Sequence, residues 1–285
     1  MKRDKREQSA EQAMVTLAIK THLYKVENPL PSGKPITHLS FSRLKELNHS
    51  PAKLNAYLTG DKVETDAMRA GTLLDCLLFE PETFDTRFFV VEKPDRRTKV
   101  GKEAWENALS EAGERILITT EDNAEAVYLN ECIRNNSTVA YHGLLNPDFF
   151  KYQVKVEFFY NGFLHRGIKD ADGTARNGDK VIWDLKRMGA MSGEYPVRYQ
   201  IRKMKYDLQA AIYCHEYDIK DEPVKYYVIA VDNDGYVTPF EITRDARNQA
   251  RIEWNKLIKA AHRCNMEGLD MGTEFYAGPE GFFHY

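Results

Sequence analysis

Three side chains near the middle of this chain have the types and spacing for a recognisable chemistry: Asp170, Asp184 and Lys186. Gly167-Ile168-Lys169-Asp170 leads through a polar stretch, residues 172–179, into the apolar Val181-Ile182-Trp183, which ends in Asp184-Leu185-Lys186. The pattern predicts a hairpin with one acid on each strand. Side chains alternate along a strand, so Asp184 and Lys186 share a face and Leu185 points the other way. Two carboxylates on neighbouring strands with a lysine beside them suit a divalent cation held next to a phosphate. Hard cations such as magnesium take oxygen ligands and keep several waters. Lysine adds a mobile positive donor near an attacking water or a phosphoryl oxygen. Phosphodiester hydrolysis needs all of these functions. An isolated D-x-K triplet equally describes an exposed ion pair of small energetic weight, so the elements around it have to decide.

Upstream, Ser40 or Ser42 is placed to cap a helix, Ser50-Pro51 opens another that stops at Gly60, and residues 66–79 form a longer one. Capping explains those serines better than phosphate contact does. Asp75 sits in that third helix among Leu73, Leu74, Cys76, Leu77 and Leu78, where a carboxylate is costly unless it meets a cation, a donor or a metal. Phe88 to Val91 reads as a strand. A strongly basic loop, residues 92–102, follows; its Arg96, Arg97, Lys99 and Lys102 are candidates for contacts to a nucleic-acid backbone. The spacing then predicts a helix from Glu103, a strand over 115–118, and a capped helix from near Thr120 with Ala124, Val127, Tyr128 and Cys132 on one face.

From Tyr152 the period changes to two. Residues 152–160 alternate, Asn161-Gly162 makes a tight turn, and 163–170 return. Glu157 falls on the first of these strands with Lys155 and is a candidate fourth acid. Residues 199–217 read as one helix carrying Arg202, Lys203, Tyr206, Gln209 and Tyr213. A hairpin around Asp232-Asn233-Asp234-Gly235 and a final helix over 245–266 close the order.

The whole chain, 285 residues with 42% hydrophobic and 29% charged, has the composition of an ordinary globular protein. Residues 1–36 form a polar arm, with a helix expected over 10–24 and a Pro-rich turn over 28–35, and 37–285 a single domain. Neither a membrane span nor a secretion signal is expected, and the default compartment is the cytoplasm. Cys76, Cys132, Cys214 and Cys264 are scattered without a C-x-x-C pair, which predicts free thiols and no disulfide. His165 and His215 are isolated and are read as packing or surface groups. The net charge of −3 excludes uniform coating of nucleic acid while allowing a local basic track beside an acidic pocket.

An acid on a helix, antiparallel strands bearing an acid and then D-x-K, a helix, another strand and closing helices is the order of the PD-(D/E)XK nuclease core. Gly71-Thr72-Leu73-Leu74-Asp75, Arg96-Arg97-Thr98-Lys99, Gly167-x-x-Asp170, Asp184-x-Lys186 and Tyr206-x-x-Gln209-Ala210-Ala211-x-Tyr213 together resemble the RecE-type phage and prophage exonucleases, also called exonuclease VIII. The resemblance covers Leu39 onward. It implies an α/β fold of the restriction-endonuclease type, a central mixed sheet flanked by helices. It implies Mg2+, with Mn2+ as a substitute, held by Asp170, Asp184 and the main-chain carbonyl of Leu185, with Lys186 placing the attacking water. Asp75 stands where relatives usually carry a histidine and would be the helix-borne ligand; Glu157 is a further metal candidate. Gln209 and Tyr213 match the Q-x-x-x-Y helix of RecB-type nucleases, and Arg202, Lys203 and Tyr206 would meet DNA. Arg187 and Met188 depart from the threonine that relatives place after the lysine. The implied activity is 5′ to 3′ degradation of one strand at double-stranded DNA ends, leaving 3′ tails for a RecT-like single-strand annealing protein. A homo-oligomer, a tetrameric ring, is implied as well. The rival readings are a RecB- or Cas4-like nuclease of other polarity, an endonuclease on the same core, and a non-catalytic DNA-binding protein on a degenerate one.

Overall fold

The computed structural model describes residues 35–60, 65–189, 194–269 and 272–276. The expected polar arm therefore lies outside the described residues except at its end. There Ile36 is buried and exchanges both backbone hydrogen bonds with the Asn265 side chain, so that residue belongs to the fold. The chain divides into two compact units. One comprises the residues up to 62, Lys155–Gly167 and the residues from Asn248; the other comprises Val63–Val154 and Ile168–Arg247.

In the first unit, β1 (His38–Leu39) is followed by α1 (Phe41–His49) and α2 (Pro51–Thr59). Ser40 caps α1 and Ser50 caps α2, each hydroxyl accepting the backbone N–H three residues on, as the spacing predicts. β1 runs parallel to the opening residues of β5 (Phe163–Thr174), with His38 opposite Leu164. β4 (Phe150–Tyr160) also pairs with β5, and Asn161-Gly162 joins them with φ of 46° and 84°. Positive φ at both central residues is what a tight hairpin with native strand twist requires.

The second unit holds α3 (Asp66–Phe79), a short α4 (Phe84–Arg87), β2 (Phe88–Val91), α5 (Lys99–Ala112), β3 (Ile116–Thr119), α6 (Thr120–Arg134) and α7 (Ser137–His142). After β5 come β6 (Lys180–Arg187), α8 (Glu194–Met204), α9 (Tyr206–Tyr213), α10 (His215–Asp218), β7 (Lys225–Val231), β8 (Val237–Glu241) and α11 (Arg244–Glu267), the last running on into the first unit. β5 and β6 are antiparallel, β6 and β7 parallel, β7 and β8 antiparallel. The result is the expected mixed sheet with helices against it. Trp183 and Leu185 turn one face of β6 into a core shared with Leu74 and Leu78 of α3 and Leu129 and Ile133 of α6. Each such side chain contributes about 1.5–3 kcal/mol by leaving water. Asp184 and Lys186, one residue out of phase, occupy the other face.

Four local expectations need correction. The basic loop is shorter than residues 92–102, because Thr98 caps α5 and the helix starts at Lys99. α6 buries Ala126, Leu129 and Ile133, while Val127 and Tyr128 are exposed; its inward stripe is one position away from the expected one. β5 continues to Thr174, so the polar stretch 172–179 begins as strand and only its later residues turn. The single helix over 199–217 is three, broken at Lys205, whose φ of 61° is left-handed.

Candidate active site

The register of β5 and β6 pairs Ala171 with Trp183, which sets Asp170 beside Asp184 one step along. Asp184 is 1% exposed. Its Oδ1 accepts a hydrogen bond from Gln209 Nε2 at 2.8 Å, and its Oδ2 lies 2.5 Å from Lys186 Nζ. Asp170 Oδ2 accepts the backbone N–H of Leu185 at 2.7 Å. Asp75 brings a third carboxylate from α3, and its Oδ1 is buried without a hydrogen-bond partner among the described residues.

The electrostatics follow from three acids facing one ammonium. Burial pushes the Asp75 carboxyl up to about 7, with Lys186 opposing the shift and Asp184 adding to it. Burial also holds Asp170 well above the usual carboxylate range, reinforced by the charges of Asp75 and Asp184. For Lys186 burial acts to lower the pKa, but the Asp184 and Asp170 carboxylates outweigh it and the net shift is upward. The ammonium stays protonated. A divalent cation relieves such an excess of negative charge, and an all-oxygen set with one unpartnered buried oxygen is the donor chemistry that magnesium or manganese takes. The carboxylates are engaged by Leu185, Lys186 and Gln209, and among the described residues no three His, Cys, Asp or Glu side chains stand close enough together, as they are placed, to hold a metal ion.

The break at Lys205 lets α9 start afresh, and Tyr206, Gln209 and Tyr213 then fall at i, i+3 and i+7 on one stripe. Tyr206 is buried, with Lys186 Nζ 5.1 Å from its ring centroid. It lies against the lysine, so this candidate for a DNA contact belongs to the wall of the carboxylate site. The Tyr213 hydroxyl is raised to about 12 by burial and then by the Asp184 charge. Tyr226 is a residue sequence reasoning missed. It pairs with Ile182, two residues before Asp184 and on the same face, and its hydroxyl is fully buried without a hydrogen-bond partner among the described residues. Its pKa is held well above the usual range by burial first and the Asp184 charge second. Alternation through Lys225–Val231 is the signal that could have found it.

The other candidates are more scattered. Glu157, in the first unit, is exposed and pairs with Arg166 at 3.0 Å, a surface ion pair. Arg96 and Arg97 line a groove of about 860 Å³ in the second unit, but Lys99 and Lys102 are not among its lining residues. Lys99 is paired with Glu103 at 3.7 Å. Arg202 and Lys203 are exposed on the last turn of α8. The four cysteines are free, three of them buried. His165 is buried, accepting a hydrogen bond from Trp254 Nε1. No described helix is long and apolar enough to cross a membrane.

Among solved structures, a “putative exonuclease” from Eubacterium rectale shares the fold, with a TM-score of 0.52 at 13% identity over 79% of this chain and 82% of that one. A second match, the protein SSO0001, covers 70% of this chain and 85% of its own at 16% identity, with a TM-score of 0.29. No curated protein sequence matches the chain. The model of a PDDEXK-like domain of unknown function (DUF3799) matches residues 40–266, so the chain belongs to that family and carries the PD-(D/E)XK nuclease fold.

Proposed function

We propose that this protein is a magnesium-dependent exodeoxyribonuclease of the RecE type, degrading one strand of linear duplex DNA 5′ to 3′ to leave 3′ single-stranded tails. The observation that supports this reading is the buried acid cluster at the strand ends: Asp75, Asp170 and Asp184 with Lys186 among them, burial and mutual repulsion raising the first two carboxyls despite Lys186 and, at Asp75, Arg87. Asp75, Asp170 and Asp184, with the Leu185 carbonyl, would hold the cation. Once bound, a divalent cation neutralises phosphate oxygens and makes a water acidic enough to attack.

The chain's own groups supply the rest. Lys186, kept protonated by its acidic neighbours, acts as a positive donor that aligns water or a phosphoryl oxygen, and it is not a general base. Tyr206 fixes that ammonium from one side. Gln209 holds Asp184 Oδ1 and so orients its carboxylate, a positioning role, and Tyr213 lies one turn further along the same helix stripe. A RecT-like annealing partner and a ring-shaped homo-oligomer, a tetramer, belong to the same proposal.

The test is a linear duplex labelled at the 5′ or the 3′ end, incubated with Mg2+ beside a covalently closed circle. Release of the 5′ label alone, with the circle intact, is expected. Release of the 3′ label first would reverse the polarity, cutting of the circle would make the enzyme an endonuclease, and no cleavage in Mg2+ or Mn2+ would leave a DNA-binding protein.

A further inference from the structure

The groove in the second unit is built for a single nucleic-acid strand. It is walled by α3, by the loop between β2 and α5, by the start of α6, and by Arg187 at the end of β6. Of its cations, Arg69 is paired with Asp66, Arg97 with Asp95, and Arg187 with Glu125. Lys93 and Arg96 are different: both are exposed, and neither has a carboxylate within ion-pairing distance among the described residues. The Arg96 guanidinium instead lies over the half-buried Trp105 ring at 4.9 Å from its centroid.

The loop that presents these groups is set by its own bonds. Thr98 donates to the Asp95 carbonyl through both N–H and hydroxyl, and the Thr98 hydroxyl accepts from Gly101 N–H. A Cβ at Gly101 would lie 2.1 Å from the Asp95 carbonyl oxygen, so only glycine lets the turn close. Planar stacking surface flanked by cations without a direct ion pair is the physical signature of single-strand binding, because every unpaired base has a face to stack while a duplex hides its faces.

The geometry points to this groove as a binding site for single-stranded DNA, with a base stacking on the Arg96–Trp105 pair and phosphates meeting Lys93 and Arg96. Arg187 lines the groove from the end of β6, one residue beyond Lys186 of the carboxylate site and on the opposite face of the strand. The inference rests on the nuclease reading for its purpose but not for its test.

Binding is read in EDTA, where no hydrolysis occurs, by anisotropy of a labelled oligo(dT) of roughly a dozen nucleotides and of a blunt duplex of equal length. Trp105→Ala is expected to weaken the single strand roughly 5- to 100-fold, in line with the loss of one stacked base, with the duplex little changed. Trp105→Phe keeps a ring and should bind close to wild type, which separates stacking from misfolding. Lys93→Ala should lower the salt slope of single-strand binding by about 0.7, and Lys102→Ala should not. Unchanged single-strand affinity in Trp105→Ala, or equal losses for duplex and single strand, overturns the proposal. Cleavage of linear duplex by Asp184→Asn and wild type is measured separately. If the groove variants bind normally while cleavage still requires Asp184, the groove fails and the nuclease reading stands; the reverse pattern fails the nuclease alone.

Discussion

β5 carries two clusters of buried charge, two residues apart, that have opposite balances. At Asp170 three carboxylates face Lys186, and the carboxyls of Asp75 and Asp170 are pushed up. At Asp172 one carboxylate is shared by Lys169 at 2.6 Å, Lys180 at 2.8 Å and the Tyr217 hydroxyl at 3.2 Å. There burial acts to raise the Asp172 pKa, but the two lysines outweigh it and the carboxyl is held low. Both clusters are buried acids beside lysines, and either could be mistaken for the other in the sequence. The difference teaches that a satisfied ion cluster serves the fold, whereas one left short of positive charge serves a ligand.

Several substitutions would break or sharpen that contrast. Asp184→Asn should cut hydrolysis of linear DNA by on the order of 10²–10³-fold or more while leaving the protein folded, as read by initial rates beside a melting curve. Asp172→Ala should do the opposite. It strands Lys169 as a buried uncompensated charge and should cost about 3–5 kcal/mol of stability by denaturant titration, with cation binding intact at whatever temperature the fold survives.

The pH dependence differs in sign between the clusters. Asp75 and Asp170 have raised folded-state pKa values, so the native state binds more protons than the unfolded chain above the ordinary carboxylate value near 4, for Asp75 up to about 7. Their contribution is fully present at low pH and is lost as pH rises through that window. Asp172, with a depressed pKa, contributes above the ordinary carboxylate value and loses its contribution as pH falls through its folded value. In EDTA, Asp75→Asn should therefore flatten the fall in melting temperature between pH 4 and 7, and Mg2+ should restore stability to wild type near pH 7. The smallest expected effect is at Tyr226. Removing its unpartnered hydroxyl with Tyr226→Phe should leave stability unchanged or raise it by about 1 kcal/mol.

Much of this was legible in the residues. The caps at Ser40 and Ser50, the bounds of α3, the Asn161-Gly162 turn and the sharing of a face by Asp184 and Lys186 all follow from local chemistry, and the structure agrees. The break at Lys205 does not follow, since a lysine at positive φ is tolerated only because tertiary packing of Tyr206, Gln209 and Tyr213 outweighs a local cost of about 1–2 kcal/mol. Tyr226 was hidden for a similar reason: a tyrosine in an apolar strand reads as core, and only the β6–β7 register turns its hydroxyl toward the acids. Alternation gave Glu157 a face without saying what lies on it, and there the structure pairs it with Arg166. The basic loop divided because a threonine cap at Thr98 carries Lys99 and Lys102 into a helix, leaving Arg96 and Arg97 on the groove.

The central claim is that the Asp75, Asp170 and Asp184 cluster is short of positive charge and takes a divalent cation. Calorimetric titration of Mg2+ or Mn2+ into folded wild type, Asp184→Asn and Asp172→Asn tests it directly. The account predicts saturable binding by wild type and by Asp172→Asn, weakened in Asp184→Asn by about 10-fold or more. Binding by Asp184→Asn equal to wild type, or no binding by wild type, would contradict it.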